Sequence, residues 1–223
     1  MLSALPRRIQ ARLIAATERV ALGLRDALYE AGKPISHVYF PLSGVMSLVI
    51  EMNDKATIEV GTIGNEGMVG TPILLGVDRS PTRAFSQVPG EVLKMKADTF
   101  KAVLAAHPQF RDRMERYMQS LVNLISQSTA CNHAHSIEQR MCRWLLMCHD
   151  RVGSDQLLLT QEFLSQMLGV RRPSVTVVAG LLQQARLIEY SRGKITVLNR
   201  RGLESGSCEC YEVVRTEYER LMG

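Results

Sequence analysis

The segment spanning residues 159–198 carries the strongest pattern in the chain, and it reads LTQEFLSQMLGVRRPSVTVVAGLLQQARLIEYSRGKITVL. Its apolar positions predict two short helices that meet at Gly169 and bury one side of each helix. Those positions are Leu164, Leu168, Val170, Val175 and Val178. The small Ser165 stands where the helices would approach each other closely. The segment therefore predicts a helix-turn-helix unit.

The outer face of the second predicted helix is polar and begins with basic residues. The residues on this face are Arg171, Arg172, Ser174 and Thr176. Side chains at the start of such a helix can enter a major groove, and free backbone amides there can meet a phosphate. These four residues are therefore candidate DNA contacts.

Two short apolar runs follow at residues 187–190 and 195–198, joined by Ser-Arg-Gly-Lys at 191–194. Strand-like runs separated by a glycine turn predict a β-hairpin. Next to a helix-turn-helix unit such a hairpin is typical of a wing, and it places Arg192 and Lys194 as further DNA contacts.

Basic residues are concentrated around this unit. Between residues 160 and 202 seven arginines and lysines face two acids, whereas the whole chain has a net charge of +5. A local positive excess attracts phosphate and gives salt-dependent affinity for nucleic acid.

The alternative to a DNA-binding protein is a β-barrel module that binds small molecules. Its winged helix would then make protein contacts, and the arginines would only be solvated.

Length and composition predict a folded protein of two modest domains, with 223 residues of which 46% are hydrophobic. The longest apolar runs are too short to cross a bilayer, and no apolar signal core follows the first arginines. We therefore expect a cytoplasmic protein without a membrane partner. The five cysteines are odd in number and fit reduced thiols better than a disulfide framework.

The first half of the chain is predicted to be mostly β after an amphipathic opening helix at residues 3–19. Strands are predicted at residues 35–40, 45–52, 57–63, 82–87 and 91–95. Turn residues separate them, at 41–44 and 52–55 among other places. Short, regularly spaced strands favour a small barrel or double sheet over a parallel α/β sheet.

From residue 97 onward the period becomes helical, with a long helix at 108–133 and another at 136–150 that carries Trp144 in a packing role. One stripe of the long helix recurs at steps of four and three: Phe110, Met114, Tyr117, Leu121, Leu124, Ser128 and Cys131. This spacing is typical of a coiled-coil seam and predicts dimerisation. A second stripe, formed by Met118, Val122 and Ile125, would then face the barrel; the alternative is that the first stripe packs inside the monomer.

The order of these parts resembles the Crp/Fnr family of bacterial transcription regulators. The resemblance rests on SIEQRMCRWLLM at 136–147, on 159–198, and on IGNEGMVG at 63–70. It implies an α+β fold with a jelly-roll-like double-stranded β barrel at 1–106, a dimerisation helix at 107–135 and a winged helix-turn-helix domain at 136–223. The implied partners are double-stranded DNA, a second copy of the chain, RNA polymerase and a small-molecule effector of unknown identity.

The family also implies roles for single residues. Thr160 matches a position that contacts the DNA backbone, Arg172 matches the arginine that reads a guanine edge, and Arg171 and Ser174 match phosphate-side positions. Two positions depart from the cyclic-AMP-type members, which usually carry glutamate where this chain has proline at 173, and a second reading arginine where it has valine at 177. The operator sequence is therefore expected to differ.

The family's effector pocket is only weakly matched. The residues in the corresponding positions are Gly70, Thr71, Arg79, Ser80 and Arg83. No acid follows the glycine to hold a ribose hydroxyl, so we expect a retained fold with an altered or empty pocket and an effector other than cyclic AMP. The oxygen-sensing branch holds iron and sulfur with N-terminal cysteines, and here the first cysteine is Cys131.

Other candidate chemistry is sparse, and we expect neither a cofactor nor an enzyme. The segment Cys-Asn-His-Ala-His at 131–135 would bring only two donors together on a helix, and the thiols of Cys208 and Cys210 would not face each other if both lay on one. We therefore predict no metal site. A barrel enzyme would need a histidine triad, but no histidine lies between His37 and His107. The catalytic sequence motifs that we considered are not present.

Overall fold

The computed structural model describes residues 1–2, 5–53 and 57–223, in which a β-rich half precedes a helical half. The first half contains α1 (Arg7–Ala15), β1 (Glu18–Leu22), β2 (Ala27–Tyr29), β3 (His37–Pro41), β4 (Val45–Glu51), β5 (Thr57–Ile63), α2 (Thr71–Leu74), β6 (Arg83–Val88), β7 (Gly90–Lys96) and α3 (Ala97–Ala106). Its strands form two antiparallel sheets, ordered β1-β7-β3 and β2-β6-β4-β5. The predicted double-sheet barrel is confirmed.

The second half is mainly helical. It contains α4 (Pro108–Ala134), α5 (Ile137–Val152), β8 (Gln156–Leu158), α6 (Gln161–Leu168), α7 (Arg172–Gln184), β9 (Ile188–Ser191), β10 (Lys194–Val197), α8 (Arg200–Gly206) and α9 (Cys210–Met222). The strands β8, β10 and β9 form a small antiparallel sheet beside α6 and α7. The predicted winged helix-turn-helix is therefore present.

The opening helix is shorter than the sequence pattern predicts. Of the predicted range 3–19, residues 3 and 4 lie outside the described residues, as do residues 54 and 55 of the predicted turn at 52–55, and α1 ends at Ala15. Arg19 belongs instead to β1, where it is paired with Leu93 of β7. In this segment, strand pairing with β7 outweighs the helical periodicity of the sequence. The structure also adds β2 and β8, two three-residue strands that the sequence did not reveal.

The long helix α4 forms as predicted, but the prediction that its first apolar stripe is a dimer seam is wrong. Phe110, Met114, Tyr117, Leu121 and Leu124 are all buried within the single chain. The ring of Phe110 lies 5.9 Å from that of Phe100 in α3, edge to face, and the hydroxyl of Tyr117 donates to the carbonyl of Met68 at 3.2 Å. The barrel of the same chain therefore covers this stripe.

The rest of α4 is divided between an internal neighbour and solvent. Ser128, which follows Leu124 in the predicted seam, accepts a hydrogen bond from Arg143 of α5 at 2.9 Å. On another side Asn123 donates to Glu217 of α9 at 3.2 Å. Val122, which was expected to face the barrel, is 41% exposed. The free surface of α4 thus lies around Val122.

Within the described ranges, no helix is both long enough and apolar enough to cross a bilayer.

Candidate nucleic-acid interface

Local caps fix the helix-turn-helix unit. The Thr160 side chain accepts a hydrogen bond from the amide of Phe163 at 3.1 Å and so caps α6. Gly169 ends α6 at φ 62°, in the left-handed region that favours glycine. Pro173 lies in the first turn of α7, where its missing N–H costs no helical hydrogen bond. The departure from the family at residue 173 therefore leaves the helix intact.

The beginnings of α6 and α7 and the turn of the wing converge on one surface. Thr176 donates from its hydroxyl to the side-chain oxygen of Gln161 at 2.9 Å, which links α7 to the first residue of α6. The amide of Leu159 donates to the carbonyl of Gly193 at 2.8 Å, which ties the wing turn to the residue before the α6 cap. Thr160, Thr176 and the wing turn are thus brought together.

The basic side chains on this surface carry uncompensated charge. Arg171, Arg172 and Arg192 are exposed, and Lys194 is half-buried. In the described part of the chain none of the four forms an ion pair. A surface with free positive charge around a helix N-terminus can bind a phosphate backbone.

Arg200, which contributes to the basic excess in the sequence, has an internal role instead. Its guanidinium lies 2.7 Å from Asp150 of α5 and 3.0 Å from Glu204 of α8. It also donates to the hydroxyl of Tyr211 at 2.8 Å. The charge count from the sequence therefore overstates the basic surface.

Two apolar side chains on the outer face of α7 were not predicted as contacts. Val177 is 63% exposed and Leu181 is 46% exposed, one turn further along the helix. Apolar side chains in a major groove can contact the methyl group of thymine. Gln161, held beside Thr176, is a further polar candidate that the sequence pattern did not reveal.

Three of the predicted effector residues have side chains that are already paired within the chain. Arg79 donates to the carbonyl of Gly32 at 3.0 Å, and Ser80 bonds to Thr82 at 2.7 Å. The guanidinium of Arg83 pairs with Glu30 at 3.3 Å and with Glu51 at 3.6 Å. The charge of this arginine is already compensated by two acids, which does not favour a phosphate there.

Gly70 and Thr71 lie at the beginning of the short helix α2 and do not line an open pocket. Gly70 precedes α2 at φ 96°, and Thr71 is buried. A separate cavity of about 330 Å³ lies where the barrel, α4, α5 and α9 meet. Its lining includes Thr62, Glu66, Tyr117, Asp150, Arg151 and Tyr218. This cavity could not be predicted from the sequence, because its lining residues come from distant parts of the chain.

The cysteines that the sequence analysis treated separately are brought together. Cys131, His135, Cys208 and Cys210 have their donor atoms within 4.8 Å of one another. The expectation that only two donors would converge is therefore wrong. Cys208 lies in the link before α9 and not on a helix, so that its thiol can approach that of Cys210.

Comparison with known families agrees with this architecture. A cyclic nucleotide-binding domain matches residues 19–107, and a Crp-like helix-turn-helix domain matches residues 139–205. The global nitrogen regulator of Nostoc sp. is 23% identical over 180 residues, which cover 76% of this chain and 80% of the relative.

Solved structures share the fold at low sequence identity. FixK2 from Bradyrhizobium japonicum superposes with a TM-score of 0.73 at 13% identity, covering 86% of this chain and 98% of its own. The c-di-GMP responsive global regulator CLP from Xanthomonas campestris has a TM-score of 0.70 at 15% identity, covering 86% of this chain and 99% of its own.

A β-rich nucleotide-binding-type domain followed by a long helix and a winged helix-turn-helix defines a DNA-binding transcription regulator. Both domain matches occur in the order that the resemblance implied. The chain belongs to the Crp/Fnr family.

Proposed function

We propose that this regulator binds a two-fold DNA operator as a homodimer through α7 and the wing. The observation that carries the proposal is the surface of free positive charge formed by Arg171, Arg172, Arg192 and Lys194. Arg171 and Arg172 lie at the N-terminus of α7, where the helix dipole and unbonded amides also favour a phosphate, and Arg192 and Lys194 belong to the wing. Two copies of α7 related by a two-fold axis would read a palindromic site.

The residues on this surface divide into two roles. Arg172, at the first helical position of α7, is proposed to read a base, because its guanidinium fork suits the two acceptors of guanine. Arg171, Ser174 and Thr160 are proposed to hold the DNA backbone, with Thr176 beside them. Arg192 and Lys194 of the wing add phosphate contacts.

The dimer requires a surface on α4 other than the stripe predicted from the sequence. Residues left exposed on this helix include Gln119, Val122, Ser126 and Thr129. They recur at steps of three and four, which is the spacing of a two-helix seam. We therefore place the dimer contact on this exposed α4 face.

The effector is proposed to be a molecule other than cyclic AMP. Arg83 is paired with two acids, and Thr71 is buried at the position where the cyclic-AMP-type members carry an acid. We further propose residues 1–106 as the sensor barrel, 107–135 as the dimerisation helix and 136–223 as the DNA-binding domain.

Duplex titration at two salt concentrations tests the proposal. Affinity for a random-sequence duplex should fall by about 10³-fold or more between 50 and 200 mM salt if about six phosphates are contacted. Arg192→Ala combined with Lys194→Ala should reduce the salt slope. Arg220→Ala is the matched control, because Arg220 is exposed on α9 and paired with Glu217. Binding that does not depend on salt, or a monomer in sedimentation at micromolar concentration, would contradict the proposal.

A further inference from the structure

Four metal-ligating side chains meet at the C-terminal end of α4, and we call them the Cys3His cluster: Cys131, His135, Cys208 and Cys210. The Sγ atoms of Cys131 and Cys208 lie 3.5 Å apart. The Sγ atom of Cys210 lies 3.6 Å from Nδ1 of His135. The three cysteines form a buried group apart from the main hydrophobic core.

The fold supplies this cluster from two distant segments. Cys131 and His135 are one helical turn apart at the end of α4, so both side chains can point to the same side. Cys210 is the first residue of α9, which packs along α4, and Cys208 lies two residues before it. Packing of α9 against α4 therefore assembles the four donors.

We propose that the Cys3His cluster binds one Zn²⁺ ion in a closed tetrahedral site. Three thiolates and one imidazole are a known ligand set for structural zinc. With Zn–S bonds of about 2.3 Å, two sulfurs of a tetrahedron lie about 3.8 Å apart, and a sulfur and a nitrogen lie slightly closer. The separations of 3.5 and 3.6 Å in the cluster are close to these edges, and every pair of donor atoms lies within 4.8 Å.

The surroundings of His135 have the arrangement of an outer shell. Its Nδ1 faces the cluster, while its Nε2 lies 3.2 Å from the carboxylate of Glu209. Metal-ligating histidines usually donate their second N–H to a carboxylate in this way, which fixes the ring and its tautomer. Gln127 donates from its amide to the sulfur of Cys210 at 3.1 Å. Neighbouring side chains thus already orient His135 and Cys210, two of the four proposed ligands.

Buried positive charge beside the cluster also favours a zinc–thiolate centre. Arg143 is buried and, in the described residues, forms no ion pair, and its Nε has no hydrogen-bond partner there. Its guanidinium donates to the hydroxyl of Ser128 at 2.9 Å, about one turn of α4 before Cys131. Zinc with three thiolates and a neutral imidazole carries one net negative charge, which would compensate the buried guanidinium.

Other ligands fit the cluster less well. An iron–sulfur cluster spreads its ligands over several irons separated by bridging sulfides, whereas all four donors here lie within 4.8 Å. A disulfide between Cys131 and Cys208 would leave the orientation of His135 toward Cys210 unexplained. The three cysteines are at most 4% exposed and the His135 side chain is 16% exposed, which fits the closed sites of structural rather than catalytic zinc.

The test measures metal in the full-length, tag-free chain purified under reducing conditions without a chelator. Elemental analysis should give about one zinc per chain. After exchange with Co²⁺, the protein should show thiolate-to-cobalt charge-transfer bands and the intense visible bands of tetrahedral cobalt. These spectra are recorded on the wild-type chain, so they decide the question even if cluster variants fail to fold.

Variants then locate the metal. Cys208→Ala and Cys210→Ala should lose the zinc, whereas Cys142→Ala should retain it, since Cys142 is equally buried but lies outside the cluster. Glu209→Ala should weaken zinc binding by about 10- to 100-fold, because it removes the outer-shell acceptor of His135. Glu209 is largely exposed, so this variant is expected to fold.

Three results would overturn the proposal. The first is wild-type protein without bound metal after incubation with zinc and dialysis. The second is cobalt with the weak spectrum of octahedral coordination. The third is equal zinc content in wild type and Cys208→Ala. None of these readouts involves DNA, so the zinc site can fail while the proposed operator binding stands, and the reverse is also true.

Discussion

Glu59 of β5 accepts a hydrogen bond on Oε1 from the indole N–H of Trp144 in α5 at 2.8 Å, across the boundary between the barrel and the DNA-binding half. The other carboxylate oxygen accepts from the hydroxyl of Ser47 on β4. Trp144 therefore has a polar role at this boundary besides the packing role that its sequence context suggested.

Burial of the Glu59 carboxylate raises its pKa from 4.5 to about 7, in spite of these two hydrogen bonds and the nearby Arg151 and Arg143 guanidinium groups, which all lower it. Between about pH 4.5 and 7 the folded chain therefore holds a proton that the unfolded chain has released. The contribution of Glu59 to the free energy of unfolding is present at low pH, falls as the pH rises through this window, and stays low above pH 7.

The first prediction concerns Glu59→Gln. The amide can still accept from Trp144 and can donate to Ser47, and it carries no charge to bury. At pH 8 the variant should have a free energy of unfolding about 1 kcal/mol or more above that of wild type, with a flatter dependence on pH between 5 and 7. Urea unfolding at pH 5, 6, 7 and 8 measures both. Glu18→Gln, on exposed β1, is the control and should keep the wild-type slope; equal slopes for all three proteins would contradict the argument.

The second prediction separates Arg172 from Arg171. Arg172→Ala should cost about 1–3 kcal/mol on the specific site and relax the preference at one base pair per half-site. Arg171→Ala should weaken all sequences more evenly and lower the salt slope by about one per subunit. Selection of sites from a random pool, followed by titration, measures both effects. An unchanged consensus in both variants would move base reading to Ser174, Thr176 or the wing.

The third prediction is that calorimetry with cyclic AMP and cyclic GMP detects no binding at physiological concentrations. Arg83 would have to leave Glu30 and Glu51 before it could hold a phosphate. A ligand can shift a regulator only through different affinities for its two states. A micromolar Kd together with tighter DNA binding would therefore refute the prediction.

The helix-turn-helix unit could be predicted from the sequence because its signals are local. The cap at Thr160, the turn at Gly169 and the apolar spacing of α6 and α7 all lie within about twenty residues. The strand β5 was predicted at its observed bounds for the same reason, since apolar and polar residues alternate there between turns. Local periodicity therefore sufficed for most elements.

The burial of the first α4 stripe and the assembly of the Cys3His cluster could not be predicted in this way. Both depend on which distant elements of the chain pack against α4. A stripe at steps of three and four fits a partner helix as well as the chain's own barrel, and only the tertiary fold places Phe110 against Phe100. The spacing of Cys131 to His135 and of Cys208 to Cys210 matches no familiar metal motif. Packing of α9 on α4 brings the two pairs together.

The last prediction tests the exposed α4 face with a single charge. Val122 lies near the middle of α4, and in a two-fold dimer its side chain would approach the same residue of the second copy. Val122→Glu would then bury two like charges at the interface, and the dissociation constant of the dimer should rise at least about tenfold. Val77→Glu is the matched control, since Val77 is 52% exposed in the segment after α2 and does not belong to the exposed α4 face. Sedimentation over a concentration series measures both, and circular dichroism verifies that each variant is folded. If Val122→Glu remains as dimeric as Val77→Glu, the dimer contact lies elsewhere on the molecule.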